Sequence, residues 1–203
     1  MTRVAINGLG RIGRATLKIL LDTPELELVA INDIAPLDNL IYLLKFDTVY
    51  GRYEKSVENK NGNLVVDGQE FEFFSERDPA QLPWDELDID IALECTGIFT
   101  NQEGLEKHLE AGAEYAVLSA PAKSETVPTV VHGVNVPDEG SRVVSCASCT
   151  TNCITPVVEV MTRRIGVEKA IMTTIHAYTS SQSIVDAPSK KIRRGRAGAA
   201  NFV

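Results

Sequence analysis

Apolar and polar positions along the chain alternate between a strand-like and a helix-like period. Residues 3–21, RVAINGLGRIGRATLKILL, open with an apolar run from Val4 to Ile6 and pass through Gly8, Gly10 and Gly13. They continue with apolar residues at Ile12, Leu17, Ile19, Leu20 and Leu21. The pattern predicts a strand, a tight glycine turn and a helix. LELVAIND (26–33) predicts a second strand that ends at Asp33.

The alternation continues. PLDNLIYLLKF (36–46) predicts a helix, and GNLVVDGQEFEFF (62–74) a hairpin turning at Asp67-Gly68. DIDIALECTG (88–97) predicts a buried strand ending at Thr96-Gly97. NQEGLEKHLEAGA (101–113) reads as an amphipathic helix closed by Gly112, with His108 on its solvent side. YAVLSAP (115–121), TVVHGVN (129–135) and RVVSCAS (142–148) predict strands. TNCITPVVEVMTRRIG has helical apolar spacing, and AIMTTIHAYTSSQ opens as an apolar strand. Strands alternating with helices predict an α/β fold with a mostly parallel sheet and helices on both faces.

Composition adds bounds. The 203 residues are 44% hydrophobic and 24% charged, which suits one core or one domain with part of another. A net charge of −8 argues against a nucleic-acid binder. No window approaches a membrane span, and VAINGLG is too short and interrupted for a secretory signal. The expected setting is a reducing cytoplasm, with the four cysteines as thiols. KKIRRGR (190–196) gathers basic residues, read from the residues alone as a solvated face.

In a parallel sheet, ligands sit at the carboxyl ends of the strands. That nominates Asn7, Asn32, Asp33, Thr96 with Gly97, and Ser119. Gly8 permits the turn, Gly10 lets backbone approach a pyrophosphate, and Gly13 lets helix pack on strand. Asp33 is placed to accept hydrogen bonds from an adenosine ribose, or else is an ordinary strand-end cap. The combination predicts a dinucleotide site.

SCASCTTNC (145–153) carries three of the four cysteines. Zinc is disfavoured, because Cys146, Cys149 and Cys153 have no second ligand cluster and Cys95 lies on another strand. No metal is expected. A redox pair of Cys146 and Cys149 remains a rival. As a nucleophile, Cys149 stands just before a predicted helix whose dipole stabilises a thiolate. Cys146 is then expected buried on its strand and Cys153 packed inside the helix. His176, one strand after that helix, is the candidate base. His132 has no clear role.

INGLGRIGR, INDIAPLDNLIYLLKFDTVYG, ECTGIF, LSAPAK, ASCTTNC and HAYT together resemble phosphorylating glyceraldehyde-3-phosphate dehydrogenases along the whole chain. The resemblance implies a Rossmann-type NAD(P)-binding domain over 1–148, then the beginning of an α+β catalytic domain over 149–203. It implies Cys149 as nucleophile and His176 as its base. Cofactor contacts carry over to Arg11 and Ile12 at the glycine turn, Asp33, Arg77 in SERDP, Thr96 and Ser119. Substrate-phosphate contacts carry over to Ser148, Thr150 and Thr179. The stretch around Arg194 and Arg196 resembles the family's S-loop, which lines a neighbouring subunit's cofactor site. That displaces the solvated-face reading.

The same resemblance implies glyceraldehyde 3-phosphate and inorganic phosphate as substrates, a homotetramer when full length, and a glycolytic role in the cytoplasm. Erythrose-4-phosphate dehydrogenase, and a non-catalytic dinucleotide-binding fragment, are the alternatives. Asp33 followed by Ile34-Ala35-Pro36, with Pro188, points to NAD first; the small Ala187 leaves NADP open. Family chains continue beyond residue 203. The expectation is therefore a fragment of a longer gene product, inactive by itself.

Overall fold

The computed structural model describes residues 1–201, which fall into two compact units, Met1–Ile165 and a second that begins at Gly166. The first contains β1 (Thr2–Asn7), α1 (Arg11–Leu20), β2 (Leu26–Asn32), α2 (Leu37–Lys45), β3 (Phe46–Asp47) and β4 (Gly51–Arg52). It continues with β5 (Val57–Lys60), β6 (Asn63–Val66), β7 (Gln69–Phe74), β8 (Ile91–Glu94) and α3 (Gln102–Glu110). β9 (Tyr115–Leu118), β10 (Val143–Ser145) and α4 (Cys149–Ile165) complete it.

The large sheet has the order β10-β9-β8-β1-β2-β7-β6-β5. From β10 to β7 every pairing is parallel; β6 and β5 add an antiparallel edge. The expected α/β fold with a mostly parallel sheet is what the chain adopts. Alternate residues of a strand face opposite sides. Val4 and Ile6 therefore join Leu17 of α1 and Leu40 and Leu44 of α2 in one core, while Ala5, Ala30 and Ala92 meet Trp84 and Leu82 on the other face. Leu105 of α3 packs on Ala116 and Leu118 of β9. Parallel strands need long crossovers; α1 lies in the one from β1 to β2, α2 between β2 and β7, and α3 between β8 and β9.

Two expected strands do not form. Across 129–135 only Thr129 makes a bridge, to Ser145. Asn135 explains the rest: its side chain accepts from the Val131 N–H at 2.8 Å and donates to the Thr129 carbonyl at 2.8 Å. Those bonds hold a turn in place of a ladder. Residues 170–176 carry no strand either; Ile171 and Ile175 are 99% and 94% exposed, and no strand is assigned in the second unit among the described residues. That unit folds locally, with the Ser183 N–H donating to the Arg194 carbonyl and the Ala187 N–H to the Gly195 carbonyl.

Three further expectations are corrected. His108 is wholly buried, because it lies three residues after Leu105 on the inward face of α3. Cys146 follows β10 and is exposed, because the strand stops at Ser145. Cys153 is exposed as well, since α4 buries none of its residues.

Candidate functional site

At the carboxyl ends of β1, β2 and β8 lies a cavity of about 410 Å³. Asn7, Gly8, Gly10, Asn32, Asp33, Arg77 and Thr96 line it, with Ile34, Glu76, Cys95, Ile98 and Phe99. The first group was nominated by sequence. Arg11, Ile12, Gly13, Gly97 and Ser119, nominated with them, lie outside this lining.

The glycines have separate jobs. Gly8 has φ +97°, and a Cβ there would sit 2.8 Å from the Thr96 nitrogen. Gly13 packs α1 against the turn; a Cβ would fall 1.9 Å from the Gly8 carbonyl oxygen. Gly10 caps α1 without a side-chain bond, and no acidic residue occupies the helix's first turn. Uncapped N–H groups at that end suit an anion.

Asp33 anchors the rim. One carboxylate oxygen accepts from the Leu9 N–H at 2.7 Å and the other from the Ala35 N–H at 2.8 Å. Its neighbour Asn32 donates to Asn7 at 2.7 Å and accepts from the Glu76 N–H at 2.8 Å. Arg11 turns away to Asp47, 2.5 Å distant, and lies over the Tyr50 ring. The Tyr50 N–H, the Val49 N–H and this guanidinium hold the Asp47 carboxyl down at about 2, against partial burial.

The cysteine segment is set by one unusual residue. Ala147 adopts φ +63° after β10. The Ser145 hydroxyl accepts from the Ala147 N–H at 3.0 Å and donates to the Ala120 carbonyl at 2.7 Å, which stabilises the turn. Ser148 then caps α4, accepting the Thr151 N–H on its hydroxyl at 3.0 Å. Cys149 is the first residue of this 17-residue helix and is exposed; Thr150 follows it. Asn152 ties the turn down through the Cys146 and Ser148 carbonyls, at 2.6 and 2.9 Å. Burial pushes the Cys95 thiol up to about 11, which makes it inert as a nucleophile. The Cys146 thiol reaches solvent, but packing on its other side also raises it.

In the second unit, His176 lines a cavity of about 490 Å³ with Thr174, Tyr178 and Gln182. Its Nδ1 lies 2.6 Å from the Ala177 carbonyl, so Nδ1–H donates. In the neutral ring Nε2 then carries the lone pair. Thr179 bonds Ser181 at 2.9 Å, Arg194 bonds Ser181, and Arg196 reaches Asp186 at 3.4 Å.

Sequence reasoning passed over Glu94, Glu76, Ile98 and Phe99. For Glu94 a signal existed: it is the lone acid within the apolar IALEC strand. Among the described residues no cluster of His, Cys, Asp and Glu could hold a metal, and no helix is long and apolar enough to cross a membrane.

Comparison with known proteins agrees along both halves. Residues 2–102 match a family model described as glyceraldehyde 3-phosphate dehydrogenase, NAD binding domain. Residues 148–203 match its counterpart for the C-terminal domain. Among curated relatives, the glyceraldehyde-3-phosphate dehydrogenase of Clostridium pasteurianum is 49% identical over 100% of this chain and 62% of its own. Those of Mycoplasma pneumoniae and Geobacillus stearothermophilus are 46% and 45% identical over 99% of this chain, and 60% and 61% of theirs. The chain thus spans about 60% of the length of the curated relatives it matches.

Proposed function

The chain belongs to the glyceraldehyde-3-phosphate dehydrogenase family, and from that premise we propose that it carries the NAD site and the nucleophile of a phosphorylating aldehyde dehydrogenase. The reaction is oxidation of glyceraldehyde 3-phosphate, with inorganic phosphate, to 1,3-bisphosphoglycerate. The observation that carries it is Cys149 at the first position of α4, on a chain whose sheet ends in a glycine-turn cavity.

The cavity suits NAD. The uncapped start of α1 suits the pyrophosphate, and Gly10, where a Cβ would meet nothing within 4 Å, leaves room for it. Asp33 can accept a ribose 2′-hydroxyl and would repel a 2′-phosphate, which favours NAD over NADP. Arg11, Ile12, Arg77, Gly97 and Ser119 are assigned to the same cofactor. Bound there, NAD supplies the hydride acceptor.

The rest of the chemistry belongs to side chains. The Cys149 thiolate forms a C–S bond to the aldehyde carbon, and the helix start with the Cys149 N–H favours the developing oxyanion. His176 Nε2, having taken the Cys149 thiol proton, returns it to that oxyanion and then removes the resulting hydroxyl proton as the carbon is oxidised. A phosphate oxygen then attacks the thioester carbon, the C–S bond breaks, and the thiolate returns. Ser148, Thr150 and Thr179 are assigned to phosphate binding, with Arg194 and Arg196 supplying positive charge.

We place the domain boundary between 148 and 149. The second family match beginning at residue 148 and the left-handed turn at Ala147 support it. The assembled protein is proposed to be a cytoplasmic homotetramer.

The test is iodoacetate labelling with peptide mapping, beside an assay of the gene's full product. Cys149 should label well ahead of Cys95 and Cys146, and NADH formation should require phosphate and vanish in Cys149→Ala. Equal labelling of Cys146 and Cys149, or phosphate-independent turnover, would overturn this reading.

A further inference from the structure

Beneath the cavity lies a buried charge that the chemistry above does not use. Glu94 ends β8 with no exposed surface. Its Oε2 accepts from Asn7 Nδ2 at 2.6 Å and faces His108 Nε2 at 3.1 Å. Its Oε1 accepts from the Thr96 N–H at 2.7 Å and from the Thr96 hydroxyl. A carboxylate offers about four lone-pair sites, and here all are taken.

The remote end of this network fixes its own protons. The Trp84 indole N–H can only donate, and it lies 3.2 Å from His108 Nδ1. Nδ1 therefore accepts, and Nε2 bears the hydrogen directed at Glu94. Trp84 and His108 are both wholly buried.

Orientation spreads from the carboxylate to the cavity. Because Glu94 only accepts, Asn7 must turn Nδ2 toward it, which leaves Oδ1 facing Asn32. Asn32 must then turn its own Nδ2 to Asn7, which directs its Oδ1 at the Glu76 N–H. On the other side the Thr96 hydroxyl hydrogen is committed to Glu94, so its oxygen is left as an acceptor beside the Ile98 N–H at 3.0 Å. Asn7, Asn32 and Thr96 all line the cavity.

We propose that Glu94, backed by His108 and Trp84, is a positioning residue for the dinucleotide, locking the amides of Asn7 and Asn32 in the cavity wall and leaving the Thr96 hydroxyl oxygen to meet the ligand. It rests on the NAD-binding reading. The ligand chemistry selected at Thr96 is a hydrogen-bond donor, such as a ribose hydroxyl.

The experiment follows the Trp84 indole N–H by NMR; this is the only tryptophan in the chain. Trp84 does not line the cavity, so its resonance can report binding through His108 and Glu94. In the unsubstituted protein, saturating NAD should shift that resonance. In Glu94→Gln, isosteric but with one acceptor oxygen in place of two, NAD should bind about tenfold more weakly, the factor equal to 1.4 kcal/mol. The shift should also disappear.

If NAD binds Glu94→Gln as tightly as the unsubstituted protein, the proposal fails while the NAD reading stands. If the unsubstituted protein does not bind NAD, the NAD reading itself fails. Should Glu94→Gln not fold, the unsubstituted protein decides alone. A Trp84 signal unmoved at saturating NAD means a structural role only and overturns the proposal.

Discussion

Ile31 and Ile171 sit in comparable apolar runs and end in opposite states. Ile31, in β2, has strands on both sides and no exposed surface; Ile171 is 99% exposed in a stretch without secondary structure. Both runs, LVAIN and AIMTTI, are rich in strand-forming residues. The difference lies in their neighbours. A strand's N–H and C=O groups need a partner ladder, and its side chains need a facing layer. The first unit supplies both for β2, and the second supplies no strand for 170–176 among the described residues.

The largest test of that contrast is a matched pair of truncations. Ile31→Ala should cost about 2–5 kcal/mol, the range for emptying a filled core site. Ile171→Ala should change stability by less than about 0.5 kcal/mol. Urea unfolding of both variants reads the difference; equal effects would erase the contrast.

Next comes the polar anchor at the end of β2. Asp33→Ala removes the acceptor for the Leu9 and Ala35 N–H groups along with the proposed ribose contact. NAD affinity should fall by about 1.5–3 kcal/mol, the range for a hydrogen bond to a charged group. Discrimination against NADP should relax in the same titration. An unchanged calorimetric affinity would remove Asp33 from the site.

The glycine turn sharpens the picture within the first unit. Gly13→Ala drives a methyl into the Gly8 carbonyl, backbone that cannot swing aside, and should destabilise by about 1–3 kcal/mol. Gly10→Ala meets nothing within 4 Å, so stability should hold while the methyl intrudes on the cavity and weakens NAD. Thermal melts with and without NAD separate the two.

The smallest effect concerns acid. The Asp47 carboxyl is held at about 2, down from 3.8, first by the Tyr50 N–H. A depressed carboxylate stabilises the fold above its unfolded value and loses that contribution as pH falls. The stability gap between the unsubstituted protein and Asp47→Asn should therefore be constant above pH 4 and close between about pH 4 and 2. A gap that stays open at pH 2 would mean Asp47 does not titrate as its contacts require.

Much of the first unit was legible in the residues. The strand–glycine–helix opening, the Asp67-Gly68 hairpin with φ +48° and +82°, and the closure of α3 near Gly112 at φ +112° each carry a local signal. His108 was misread because charged neighbours suggested solvent. Its spacing from Leu105 was the better guide, since residues three apart share a helix face. Residues 129–135 were lost to a side-chain bond from Asn135 that competes with any ladder. Cys149 could be placed from its motif, whereas the turn that presents it depends on Ala147 in a conformation that no alanine announces. Glu94 escaped notice because its partners come from Asn7 and His108, 87 and 14 residues away.

The strand order also sets a timetable during synthesis. β1 can pair with β2 as soon as both have left the ribosome, and β7 can add to β2 next, but the other side of β1 waits for β8. Asn7 and its partner Glu94 are 87 residues apart. At ~5–20 residues per second, that edge of the nascent chain stays open for roughly 4–17 s. The central strand of the finished sheet is thus, for those seconds, an outer one, and this is the interval in which a chaperone has most to protect.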